Sequence, residues 1–109
     1  MDDDSRKEIR KQFAERVNMT PKELEDWLKT DASHSVGDDS GGESTGHQSG
    51  RRIVELKRKH VNELSEDDYA HMRKVINYVK RHLAQKPTGD VSETPWRYSL
   101  MNWGHDPLQ

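Results

Sequence analysis

The chain has 109 residues, 29 % apolar and 35 % charged, with no cysteine and a formal net charge of −2. A chain of this length makes one small domain; without cysteine it has no disulfides or thiolate chemistry, and no apolar run nears the roughly 20 residues of a membrane span. Leu, Ile, Val and Phe together number 18 of 109, so a marginally stable helical core with one mobile segment, or a homodimer, is expected.

A first helix starts at an Asp3 or Asp4 cap and runs to about Val17, with Ile9, Phe13 and Val17 on its inner face and Ala14 beside them. Asn18 and Met19 break it. Thr20-Pro21-Lys22-Glu23 is a capping box with proline at the first helical position, and the short helix it opens carries Leu24, Trp27 and Leu28 on one face. Met19 is placed to staple onto Leu24, and the two helices are expected to form a hairpin over residues 1–30. Residues 31–50, DASHSVGDDSGGESTGHQSG, hold five glycines and five serines and read as a mobile loop, most mobile over residues 35–45.

Helical periodicity returns over residues 51–60, with Ile53, Val54, Leu56 and Val61 inward and Arg51, Arg52, Arg58 and Lys59 outward. Asn62-Glu63-Leu64 then turns into the longest periodic segment, residues 65–84. Ser65 is its N-cap, Glu66, Asp67 and Asp68 sit at the positive end of the helix dipole, and Lys80, Arg81 and His82 at the negative end. Tyr69, Met72, Val75, Ile76, Val79 and Leu83 form one apolar face, with Arg73, Lys74, Asn77, Lys80 and Arg81 opposite. His71, Tyr78 and His82 line the shoulder between these faces. Thr94-Pro95 repeats the cap-plus-proline signal before a short helix stopped by Gly104. Trp96, Tyr98, Leu100, Met101 and Trp103 are expected to clasp the core, seated on the His71, Tyr78 and His82 shoulder. The fold class is all-α: four main helices, a short fifth and a long Gly/Ser-rich loop in a single domain.

Residues 1–50 carry 7 basic and 12 acidic side chains, residues 51–86 carry 10 and 5, and residues 87–109 carry 1 and 3. A basic middle between acidic flanks suits an acidic partner, or balances charge within the molecule. At the end of the glycine-rich stretch, His47, Ser49, Gly50 and Arg51 form a candidate anion site, where a flexible approach meets a helix N-terminus with hydroxyl and guanidinium donors. The plainer account is that Ser49 caps the helix. The six histidines include no i, i+4 pair and no HExxH, so no metal site is expected. No nucleophile, base and orienting group stand together, so neither an enzyme nor a cofactor is expected. A small hydrolase or metal protein built on His47, Ser49 and the arginines is the least favoured reading. The acidic start MDDDSRKE lacks a signal-peptide core, which points to a cytoplasmic location, or a nuclear one in a eukaryote.

The segments VNMTPKELEDWL, ESTGHQSGRRIVEL, LSEDDYAHMRKVINYVKRHLAQKPTGD and TPWRYSLMNWGHDP resemble the family called domain of unknown function thirty-one forty. Its members are often labelled DNA-binding, and the resemblance implies nucleic acid as a partner without assigning an active site or cofactor. The residues that would meet phosphates are Arg51, Arg52, Arg58 and Lys59 on one helix and Arg73, Lys74, Lys80 and Arg81 on the next. Binding would be weak and largely independent of base sequence, because no recognition-helix pattern is present. The rival is a protein-interaction or stress-related accessory protein.

Overall fold

The structure, a computed structural model, describes residues 2–36 and 45–109. Among the described residues it holds only helices: α1 (Asp3–Arg16), α2 (Pro21–Leu28), α3 (Asp31–His34), α4 (Thr45–Arg58), a 3-10 turn (Val61–Glu63), α5 (Glu66–Leu83) and α6 (Pro95–Asn102). The starts follow from side chains that satisfy the free N–H groups of a first turn. The Thr20 and Ser65 hydroxyls accept from the Glu23 and Asp68 N–H groups, both at 3.1 Å, while the Glu23 and Asp68 carboxylates accept from the N–H groups of Thr20 and Ser65 in return. Thr94 caps α6 in the same way, through the Arg97 N–H. On α1 the cap is Asp2, which accepts from the Ser5 N–H at 2.7 Å, one residue earlier than the sequence suggests.

Residues 1–30 are not a mutual hairpin. α1 lies along α5, and α2 lies along α4. Arg10 reaches Tyr69 near the start of α5 and Gln12 meets Lys80 near its end, so α1 and α5 run parallel. Leu28 at the end of α2 meets His47 and Gly50 early in α4, while Glu25 pairs with Arg58 at the far end, so α2 and α4 run antiparallel. α6 crosses α2, α3, α4 and α5 and closes the core around Leu24, Ile53, Val75, Val79 and Leu100, all fully buried. Lys57 holds the junction after α1, donating to the carbonyls of Val17 and Met19 at 3.0 and 2.9 Å. Burial pushes its ammonium below the usual lysine range.

Residues 31–34 and 45–50, at the two described ends of the Gly/Ser-rich stretch, are helical where a loop is expected. Thr30 caps α3 through the Ser33 N–H, and α4 begins at Thr45, six residues before Arg51. The reason is close packing. A Cβ on Gly50 would lie 2.5 Å from the Asn102 carbonyl oxygen and 2.8 Å from Leu28 Cδ2, and one on Gly46 would lie 3.1 Å from Trp103 Nε1. These two glycines, one turn apart, let α6 and α2 approach α4; they do not loosen the chain. Residues 37–44, the centre of the expected mobile loop, lie outside the described residues. Val61, expected inward, is 58 % exposed. The chain leaves helical geometry at His60 (φ −75°, ψ 154°), and the turn that follows presents Val61 outward.

Candidate nucleic-acid interface

The aromatic C-terminal segment sits where the shoulder of α5 invites it. His71, Trp103, Tyr78, His82 and Trp96 form one continuous ladder of rings with successive centroid distances of 6.4, 4.1, 5.4 and 6.2 Å and planes within 14° of parallel. Trp96 Nε1 donates to the His82 carbonyl at 2.7 Å, and the Ser49 hydroxyl lies 2.9 Å from His71 Nε2. Trp103 is buried, while Tyr78 and His82 are half-buried and line a shallow open pocket with Arg81 and Gln85. Burial pushes His71 down to about 4, with Arg52 and Lys74 adding to the effect, and burial also lowers His82. Neither ring adds positive charge near neutrality.

The rest of the segment is anchored by polar contacts that no sequence pattern announces. Asn102, 2 % exposed, accepts from Trp27 Nε1 at 2.7 Å and from the Ser33 hydroxyl at 2.5 Å, and donates to the Ser33 carbonyl at 3.1 Å. Asp106 receives the Arg97 guanidinium through Nε and Nη2 at 3.2 and 3.1 Å, and its backbone exchanges two hydrogen bonds with Asn18. His105 Nδ1 donates to the Arg16 carbonyl, and Met19 N–H to the Gly104 carbonyl. An Asn among apolar neighbours in WRYSLMNW is the one sequence signal for this hub.

The expected anion site does not form as an open helix end. Its premise was a helix starting at Arg51, whereas His47, Ser49 and Gly50 lie inside α4 and are buried. His47 Nε2 donates to the Leu28 carbonyl at 2.7 Å, at the C-terminus of α2, and its ring stacks on His34 at 4.4 Å. Arg51 is exposed on the wall of a groove between α2 and α4. Among the described residues no three His, Asp or Glu side chains are grouped to hold a metal ion, and no helix is long and apolar enough to cross a membrane.

The eight cations named from sequence divide into two sets. On α4 and just past its end, Arg52 Nη2 and Lys59 Nζ lie 3.3 and 2.7 Å from the two oxygens of Asp68, and Arg58 pairs with Glu25. The Lys59 bond, with the Ser65 N–H and Arg52, holds the Asp68 carboxyl far below the usual carboxylate range. Two of these cations are thus spent in fixing the start of α5 against α4. On α5, Arg73, Lys74, Lys80 and Arg81 are exposed and carry no ion pair among the described residues; Lys80 approaches only the Gln12 amide oxygen, at 3.4 Å. No acidic residue occurs between Asp68 and Asp90. From Arg73 to Arg81 the helix rises about 12 Å, a length over which a duplex presents roughly three phosphate steps per strand.

The family described as Protein of unknown function (DUF3140) matches the chain over residues 12–101. The chain belongs to that family. No curated protein and no solved structure matches it. The DUF3140 match begins inside α1 and ends inside α6, so it takes in the whole of α5 with its basic face and every ring of the ladder but Trp103.

Proposed function

We propose that this DUF3140 protein is a small non-enzymatic binding protein that holds nucleic acid through its phosphates, with DNA the expected form. The observation that carries the reading is the outer face of α5, where Arg73, Lys74, Lys80 and Arg81 stand exposed with no carboxylate on their own helix beyond its first turn. Contacts of this kind position a protein on a duplex and carry no base information. The burial of Trp96 and Trp103 argues against these two rings as a source of affinity by stacking. Arg52, Arg58 and, just past α4, Lys59 are given no part in the interface, because Asp68 and Glu25 hold them.

Fluorescence anisotropy with a labelled duplex of mixed sequence at about 50 mM salt tests this reading, since phosphate binding is strongest at low salt. Wild type binds, and the combined Arg73→Gln, Lys74→Gln, Lys80→Gln, Arg81→Gln protein folds but loses binding. No binding by wild type, or unchanged binding by the variant, refutes the proposal. The rival reading, an accessory protein that docks onto another chain, draws support from the groove of about 390 Å³ between α2 and α4, floored by Leu28 and Val54 and rimmed by charges of both signs. That groove becomes the leading candidate if the duplex fails to bind.

A further inference from the structure

Arg73 and Lys74 are neighbours in sequence, as are Lys80 and Arg81, so the members of each pair point about 100° apart around α5. The pairs are seven residues apart, which returns them to nearly the same angles about two turns along. The four exposed cations therefore stand in two rows, Arg73 with Lys80 and Lys74 with Arg81. Asn77 lies midway between the rows, three or four residues from each of the four. Its side chain is exposed and makes no hydrogen bond among the described residues, so its amide offers both a donor and an acceptor. Ala84, further along the same line, is exposed too and carries no group that would hold the helix off a surface. Carboxylates border this face. Glu66 and Asp67 stand in the first turn of α5, so the open stretch begins after them. Glu8 of α1 shares the cleft between the two helices with Arg73 and Asn77 and accepts from Gln12 at 3.0 Å.

An extended arginine or lysine carries its charge roughly 8 Å from the helix axis, so rows 100° apart stand about 12 Å from each other. That is about the width of the major groove of B-form DNA, which admits an α-helix between its two backbones. A helix laid along a single strand would use one row and leave the other in water. We infer that α5 enters the major groove of a DNA duplex from Arg73 to Ala84, with one row of cations on each backbone and the Asn77 amide on the edge of an adenine. The inference rests on the phosphate reading and deepens it. Asparagine suits adenine because it accepts from N6 and donates to N7. Duplex RNA is excluded, since the major groove of the A form is too narrow for side chains to read. The expectation of binding independent of base sequence then holds for every position but this one.

The test is fluorescence anisotropy with the full chain at about 50 mM salt on three labelled duplexes. They are a mixed-sequence DNA, the same DNA with 7-deazaadenine at every adenine, which removes the N7 acceptor, and the RNA of that sequence. Wild type should favour the first DNA over the second by about fivefold, the low end of what one bidentate pair contributes, and over the RNA by at least as much. Asn77→Ala, at an exposed position where alanine favours helix, should bind the two DNAs equally and keep the wild-type salt slope. Equal binding of both DNAs by wild type, RNA held as tightly as DNA, or a preference that survives Asn77→Ala overturns the inference and leaves the phosphate reading standing. Failure of wild type to bind any of the three refutes the phosphate reading itself, and the inference falls with it.

Discussion

Replacing Trp103 by alanine removes the ring that joins α6 to α5. Trp103 is 4 % exposed, stacks on Tyr78 at 4.1 Å and lies parallel to His71 at 6.4 Å, with Gly46 of α4 against its indole nitrogen. A buried tryptophan takes about 150–250 Å² out of water. At about 25 cal/mol/Å² this is on the order of 4–6 kcal/mol, and measured losses for such truncations run about 3–5 kcal/mol. A domain of this size has roughly 5–15 kcal/mol in total. Trp103→Ala should therefore lose about a fifth or more of its stability in urea unfolding and melt on the order of 10–30 °C lower. Trp103→Phe, which keeps a stacked ring, should lose about half as much. A cost below about 1 kcal/mol for the alanine variant, with an unchanged urea m-value, would refute the clasp, because rim substitutions stay near that value. If that variant kept its stability and lost duplex binding, the rings would instead be a stacking platform.

Gly50→Ala should destabilise the protein although alanine favours helix by about 1 kcal/mol. Its Cβ would meet the Asn102 carbonyl oxygen at 2.5 Å, and overpacking of this kind costs about 1–3 kcal/mol or more. A rise in melting temperature would show that α6 does not seat on α4. Stability should fall on acidification in two stages. His71 has a folded pKa lowered to about 4, so the unfolded chain takes up its proton first and stability declines as the pH drops from about 6.5 to 4. Asp68 has a depressed folded pKa, so its contribution is whole above the unfolded value near 4 and is lost below it. The unfolding free energy of Asp68→Asn from urea titration should lie below wild type by about 1–3 kcal/mol at pH 7 and converge on it at low pH. A constant gap across that range would contradict the charge-pair role.

Where capping chemistry is local, the sequence announces the fold. Thr20, Ser65 and Thr94 each sit three residues before the N–H they satisfy, and each starts its helix where that spacing says. The apolar stripe of α5 and its His71, Tyr78 and His82 shoulder are equally legible, because one helix carries them, and the C-terminal rings take the seat so defined. Tertiary partners are not legible in this way. Gly46 and Gly50 look like linker residues until Trp103, Asn102 and Leu28 are seen against them. Arg52, Arg58 and Lys59 look like a solvated basic face until Asp68 and Glu25 arrive from other helices. Half of the expected phosphate-binding set was thus drawn from residues whose charge, for three of the four, is engaged within the chain, and the spacing along α4 alone cannot reveal it.

The most direct measurement of the phosphate reading is the salt dependence of duplex binding, resolved by residue. Four phosphate contacts give a slope of log Kobs against log salt near −3 to −4, at about −0.9 per contact. Each single change, Arg73→Gln, Lys74→Gln, Lys80→Gln or Arg81→Gln, should make that slope shallower by about 0.9 without lowering the melting temperature. Arg58→Gln on α4 should leave the slope as it is. A slope that no α5 change reduces, or that Arg58→Gln reduces as much, would contradict the assignment of the interface to α5.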